Sequence, residues 1–102
     1  MNFWGIDIKN GTVTYDDISF LTTELNLREQ ADYLKEDMLQ IEFPDDFLID
    51  VGWSPSFDEA GAFNVTMVRN YEWDRPIFQA RVTDIASVKE SLSKLIAHHI
   101  KE

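Results

Sequence analysis

Residues 47–53, Phe-Leu-Ile-Asp-Val-Gly-Trp, constrain the fold more than any other stretch of the chain. Successive side chains of an extended strand point to opposite faces. Phe47, Ile49, Val51 and Trp53 therefore share one face, and Leu48, Asp50 and Gly52 share the other. The first set belongs to a core, and Asp50 sits on the opposite, partly solvated side. Such a strand needs partners beside it and a layer over its apolar face.

The sequence supplies both downstream. Ser54-Pro55 to Glu59-Ala60-Gly61 is a run of turn formers. Phe63, Val65, Met67 and Arg69 then alternate with Asn64, Thr66, Val68 and Asn70 as a second antiparallel strand. Tyr71-Glu72-Trp73-Asp74-Arg75-Pro76 forms a loop with two large aromatics at its tip. Ile77 to Val82 is a third strand, with Phe78, Ala80 and Val82 inward. Thr83 or Asp84 is placed to cap a final helix, whose stripe is Ile85, Val88, Leu92, Leu95, Ile96 and Ile100. Lys89, Lys94 and Lys101 lie toward its C-terminal half, where the helix dipole favours cations.

Upstream, Phe3 to Ile8 alternates weakly into Lys9-Asn10-Gly11. Asn-Gly suits a type I′ turn, which predicts an N-terminal hairpin with Thr12 to Tyr15 as the return strand. Asp16-Asp17 ends it, and Ile18 to Glu24 reads as a short strand or an extended connection. Leu27, Ala31, Leu34, Met38 and Ile41 recur at steps of four, three, four and three, which predicts a helix from Leu27 to Ile41. Asn26 would be its N-cap, Glu29 would complete a capping box, and Pro44 would stop it. The expected fold is α+β: an antiparallel β-sheet, made of the N-terminal hairpin plus a three-stranded meander, packed against two amphipathic helices. Residues 1–102 form a single domain with no repeat or linker.

Charge is the second constraint. The formal net charge is −10, and residues 29–59 hold ten acids against one base, Lys35. That segment therefore carries −9, while residues 1–28 carry −2 and residues 60–102 carry +1. Charge concentrated in this way acts as a directed field as well as an aid to solubility. Glu29, Asp32, Glu36 and Asp37 fall off the apolar stripe and would form an acidic outer helix face; Asp45, Asp46, Asp50, Asp58 and Glu59 flank or interrupt the strand. Trp53, Tyr71 and Trp73 lie among or near these acids. Trp and Tyr commonly anchor interfaces, so all twelve residues are candidate partner contacts.

Catalytic patterns are missing from the sequence. It has no Gly-rich phosphate loop, no GxSxG and no cysteine, hence no thiol nucleophile, disulfide or thiolate metal site. Asp45, Asp46, Asp50, Asp58 and Glu59 could in principle share acid–base work or a divalent cation, but their spacing matches no EF-hand loop. His98 and His99 are adjacent, so on a helix they point about 100° apart and do not converge on one ion. Direct nucleic-acid binding is disfavoured, because phosphates need a basic patch. No cofactor is implied. The N-terminus lacks a basic signal-peptide region, and no apolar run approaches the roughly 18 residues of a membrane span. Without cysteines a reducing compartment is the easiest fit, so a soluble, cytoplasmic protein is expected.

Ile49-Asp50-Val51-Gly52-Trp53-Ser54-Pro55, followed by Asp58, Gly61, Phe63 and Trp73-Asp74-x-Pro76, resembles small acidic bacterial proteins of toxin–immunity loci. These include immunity proteins of contact-dependent growth inhibition systems. The likeness spans residues 44–83 and transfers no site residue. It implies a tight complex with a basic toxin domain, often a nuclease, whose active or substrate-binding surface is covered. A DNA mimic or regulatory interaction module is the alternative, with a small carboxylate enzyme or divalent-metal binder behind it.

Overall fold

The computed structural model describes residues 2–21 and 27–101, without the side chains of Leu27 and Arg28. Asn26 and residues 22–24 of the expected extended stretch lie outside the described residues.

Among the described residues, seven strands form two antiparallel sheets. β1 (Asn2–Phe3) and β2 (Ile6–Asp7) make a small hairpin. β3 (Thr12–Asp16), β4 (Leu39–Glu42), β5 (Phe47–Ser54), β6 (Ala62–Arg69) and β7 (Phe78–Val82) form an up-and-down sheet in chain order. The chain ends in one α-helix, α1 (Ile85–His99).

In-register pairing builds the core in rows. Leu39, Val51, Val65 and Ala80 lie side by side across four strands, as do Ile41, Ile49, Met67 and Phe78. Helix α1 closes this face with Ile85, Val88, Leu92, Leu95 and Ile96, and the β1–β2 hairpin adds Ile6. Asp84 caps the helix by accepting from the Ser87 N–H at 2.7 Å. The strands over 47–54, 62–69 and 78–82 and the final helix follow the expected alternation and stripe.

Two expectations are overturned, although the α+β class stands. There is one α-helix among the described residues. Leu27–Tyr33 is a 3₁₀ segment, and Leu39–Glu42 is strand β4, hydrogen-bonded between β3 and β5. Leu34, Met38 and Ile41 are fully buried, as a helical stripe would have them, but so is Leu39, which a helix would have turned outward. Leu39, Ile41 and Phe43 alternate with Gln40 and Glu42, and the ladder on both sides rewards that period of two.

The N-terminal hairpin is also built differently. It turns at Trp4 and Gly5, both at positive φ (54° and 79°), which is the type I′ pattern. Thr12–Asp16 does not pair back with β2; it is an edge strand of the large sheet, beside β4. Gly11 serves a close approach, since a Cβ there would fall 2.5 Å from Cε1 of Phe43.

Candidate acidic interface

The side of the large sheet away from α1 carries Asp50 and Glu42. On this side Gln40, Asp50, Thr66 and Gln79 form one row, and Glu42, Leu48 and Val68 form the next. Leu48 and Val68 are buried but stand apart from the core cluster. Tyr71 reaches back over this edge, and its hydroxyl donates to Oε1 of Glu42 at 3.3 Å.

A band of carboxylates follows β4 and β5 across the face. Asp37 precedes β4 and lies near enough to Asp50 to act on it electrostatically. Burial pushes the Asp50 carboxyl above its ordinary range, the Gln40 amide (3.4 Å) draws it back, and the Asp37 charge raises it again. Glu42 is the next acid along. Asp46, with Asp45, forms the β4–β5 turn, where both adopt left-handed backbone at φ 63° and 65°. Short polar side chains tolerate that conformation better than branched or aromatic ones do. The Tyr71 phenol is raised, first by the Glu42 charge and also by Asp46. Among the described residues, Asp37, Glu42, Asp46 and Asp50 have no lysine or arginine ion-pair partner. A depression of about 390 Å³ opens beside them, lined by Thr14, Tyr15, Asp37 and Gln40.

The other expected contacts are scattered. Asp58 and Glu59 are exposed on the β5–β6 loop, at the far end of β5 from Asp45 and Asp46. Eight residues at about 3.3 Å each place those ends roughly 26 Å apart, so the five candidate carboxylates do not share one site. Among the described residues no group of three or more His, Cys, Asp or Glu side chains could hold a metal ion. Glu29, Asp32 and Glu36 are exposed on the segment before β4. Trp73 is half exposed on the β6–β7 loop.

Trp53 is corrected from partner contact to core. It is 1% exposed, meets Phe63 edge to face at 4.8 Å, and ties down the β5–β6 loop through Nε1 to the Asp58 carbonyl at 2.8 Å. A further cavity of about 400 Å³, between α1 and β7, is lined by Phe78, Leu95, His98, His99 and polar neighbours and includes none of the expected site residues.

Gln40, Phe20 and Tyr33 are not marked by the sequence, and Glu42, one of the ten acids of residues 29–59, is not among the expected partner contacts. Gln40 and Glu42 become legible once residues 39–43 are read with a period of two. Phe20 and Tyr33 carry no local signal, because their exposure is decided by tertiary packing.

The chain matches no protein-family model, no curated protein and no solved structure. No helix among the described residues is long and apolar enough to cross a membrane.

Proposed function

We infer that this chain is a non-enzymatic acidic binding protein, an immunity protein that neutralises a basic toxin domain of the nuclease class by covering its active or substrate-binding surface. The observation that carries the reading is the band of Asp37, Asp50, Glu42 and Asp46 on the sheet face opposite α1, without cationic partners among the described residues. Holding like charges together costs stability, and a basic partner would relieve that cost while being steered to the face. The likeness of residues 44–83 to immunity proteins points the same way. Within this proposal the protein acts in the cytoplasm, in keeping with a cysteine-free chain.

The test begins with the gene directly upstream. Its product should be a basic protein that arrests growth when expressed alone and is neutralised when this chain is co-expressed. The quadruple variant Asp37→Asn/Glu42→Gln/Asp46→Asn/Asp50→Asn should lose that protection, and the affinity of the purified pair should fall steeply between 50 and 500 mM salt, as an order-of-magnitude range for screening. Protection by the quadruple variant at the wild-type level would remove the acidic face from the mechanism. A partner that binds nucleic acid without toxicity would favour the DNA-mimic reading.

A further inference from the structure

Outside the acidic band, three exposed aromatic rings converge at one end of the large sheet. Phe20 lies just after β3, Tyr33 ends the 3₁₀ segment, and Phe57 sits in the β5–β6 loop; they are 54%, 56% and 60% exposed. Phe20 and Tyr33 meet edge to face, with centroids 5.1 Å apart. With Asp17, Asp32 and Lys35 the rings line a cleft of about 200 Å³. Sites for drug-sized ligands run to roughly 300–1,000 Å³, so this cleft suits a single side chain.

Phe57 is held there against its own preference. Its φ of 60° lies in the left-handed region, which a bulky residue seldom adopts. Its N–H donates to the Leu34 carbonyl at 2.6 Å, which fixes the loop against the residue after Tyr33. A strained residue whose ring stays mostly in solvent gains little packing in return, and strain of this kind gathers at binding sites.

The charges around the cleft choose its occupant. Lys35 is already paired with Asp17, which also accepts from the Tyr15 hydroxyl at 2.9 Å, so the one cation that lines the cleft among the described residues is neutralised. Asp32 stands exposed beside Tyr33, and Asp32, Tyr33 and Phe57 all belong to the segment that carries −9. Aromatic walls with an acidic rim present ring faces and a counter-charge together, the surroundings a guanidinium favours. We propose that this cleft receives an arginine side chain of the basic partner, stacked against Phe57 or Tyr33 and met at the rim by Asp32. The proposal rests on the reading above that the partner is basic.

The probe is an arginine nonapeptide, with the citrulline nonapeptide as its uncharged counterpart, titrated into the full chain by heteronuclear NMR and calorimetry. The arginine peptide should shift the amides of Phe20, Tyr33 and Phe57, and the citrulline peptide should not. Phe57→Ala and Tyr33→Ala should each weaken binding by about three- to fivefold. Asp32→Asn, which removes no ring, should weaken it as well. Unchanged affinity in the ring variants, with binding lost in the quadruple acidic-band variant, overturns the cleft and leaves the basic-partner reading intact. An arginine peptide that fails to bind the wild-type chain overturns both. A concentration-dependent dimer that the ring variants abolish also overturns the proposal, because a second copy of the chain would then be the occupant.

Discussion

On one side of β5, Ile49, Val51 and Trp53 are sealed to 1% exposure or less among the neighbouring strands and α1. On the other side, Asp50 meets the Gln40 amide and Gly52 the Glu36 backbone, while Leu48 lies buried beside Val68, apart from the core cluster. The same strand thus carries a face shaped by packing and a face shaped by charge and close backbone approach. Substitutions on the first should act on stability alone. Substitutions on the second should separate into those that touch the backbone crossing and those that touch the field.

Trp53→Ala carries the largest expected effect. It removes a fully buried indole and the Nε1 bond to the Asp58 carbonyl. Truncation of a buried Trp costs roughly 3–5 kcal/mol, so the urea midpoint should drop sharply. If charge alone governs binding, the folded fraction of Trp53→Ala should still bind a basic probe. A loss of binding beyond the loss of folded protein would mean that the Asp58–Glu59 loop, which Trp53 anchors, belongs to the interface.

Gly52→Ala probes the opposite face. A Cβ at position 52 would lie 1.8 Å from the Glu36 carbonyl oxygen, so the strand, or the segment crossing it, must move. That segment is fastened to β5 by the Trp53 N–H to the Lys35 carbonyl (2.7 Å) and the Met38 N–H to the Val51 carbonyl (3.1 Å). Overpacking against a fixed backbone costs about 1–3 kcal/mol, with the upper end expected here. A cost near zero by chemical denaturation would show the crossing segment to be loosely held, and the distinction between the faces would weaken.

These two residues also show what the sequence could reveal. The alternation of 47–53, 62–69 and 78–82 and the stripe of 85–100 were each legible because a single period fitted them. Between residues 34 and 43 two periods compete: Leu34, Met38 and Ile41 suit a helix, and Leu39, Ile41 and Phe43 suit a strand. Pairing with β3 and β5 decides between them, and that information is not local. The alternation alone marks Trp53 as core, and the acidic residues around it in sequence give a misleading signal of contact. Asp50 was placed on the solvated face by alternation alone. Its nearness to Asp37 was not legible, since the two meet only once residues 39–42 become a strand. The aromatic cleft has the same origin, with Phe20, Tyr33 and Phe57 brought together from three separate connections.

Asp50→Asn has the smallest expected effect on stability and bears most directly on the comparison. Burial raises the Asp50 carboxyl, Gln40 opposes that, and Asp37 adds to it, with a net upward shift from 3.8. When the pH is low enough to protonate both states, the group costs nothing. As pH rises past the unfolded value the unfolded chain ionises first, and stability falls until the folded carboxyl ionises too. Above that point the penalty is constant. Asparagine keeps an oxygen for the Gln40 amide and removes the charge. The variant should therefore be more stable than wild type at pH 7, by less than about 1 kcal/mol given the partial exposure, and the gain should vanish below about pH 4. Urea midpoints at pH 7 and pH 3 measure both arms, and a wild type more stable at pH 7 would reverse the sign of the argument. A gain in stability joined to a loss of affinity for a basic probe would mark Asp50 as a charge held at a cost to the fold. That pairing of effects belongs to binding faces and has no counterpart at Ile49 or Val51.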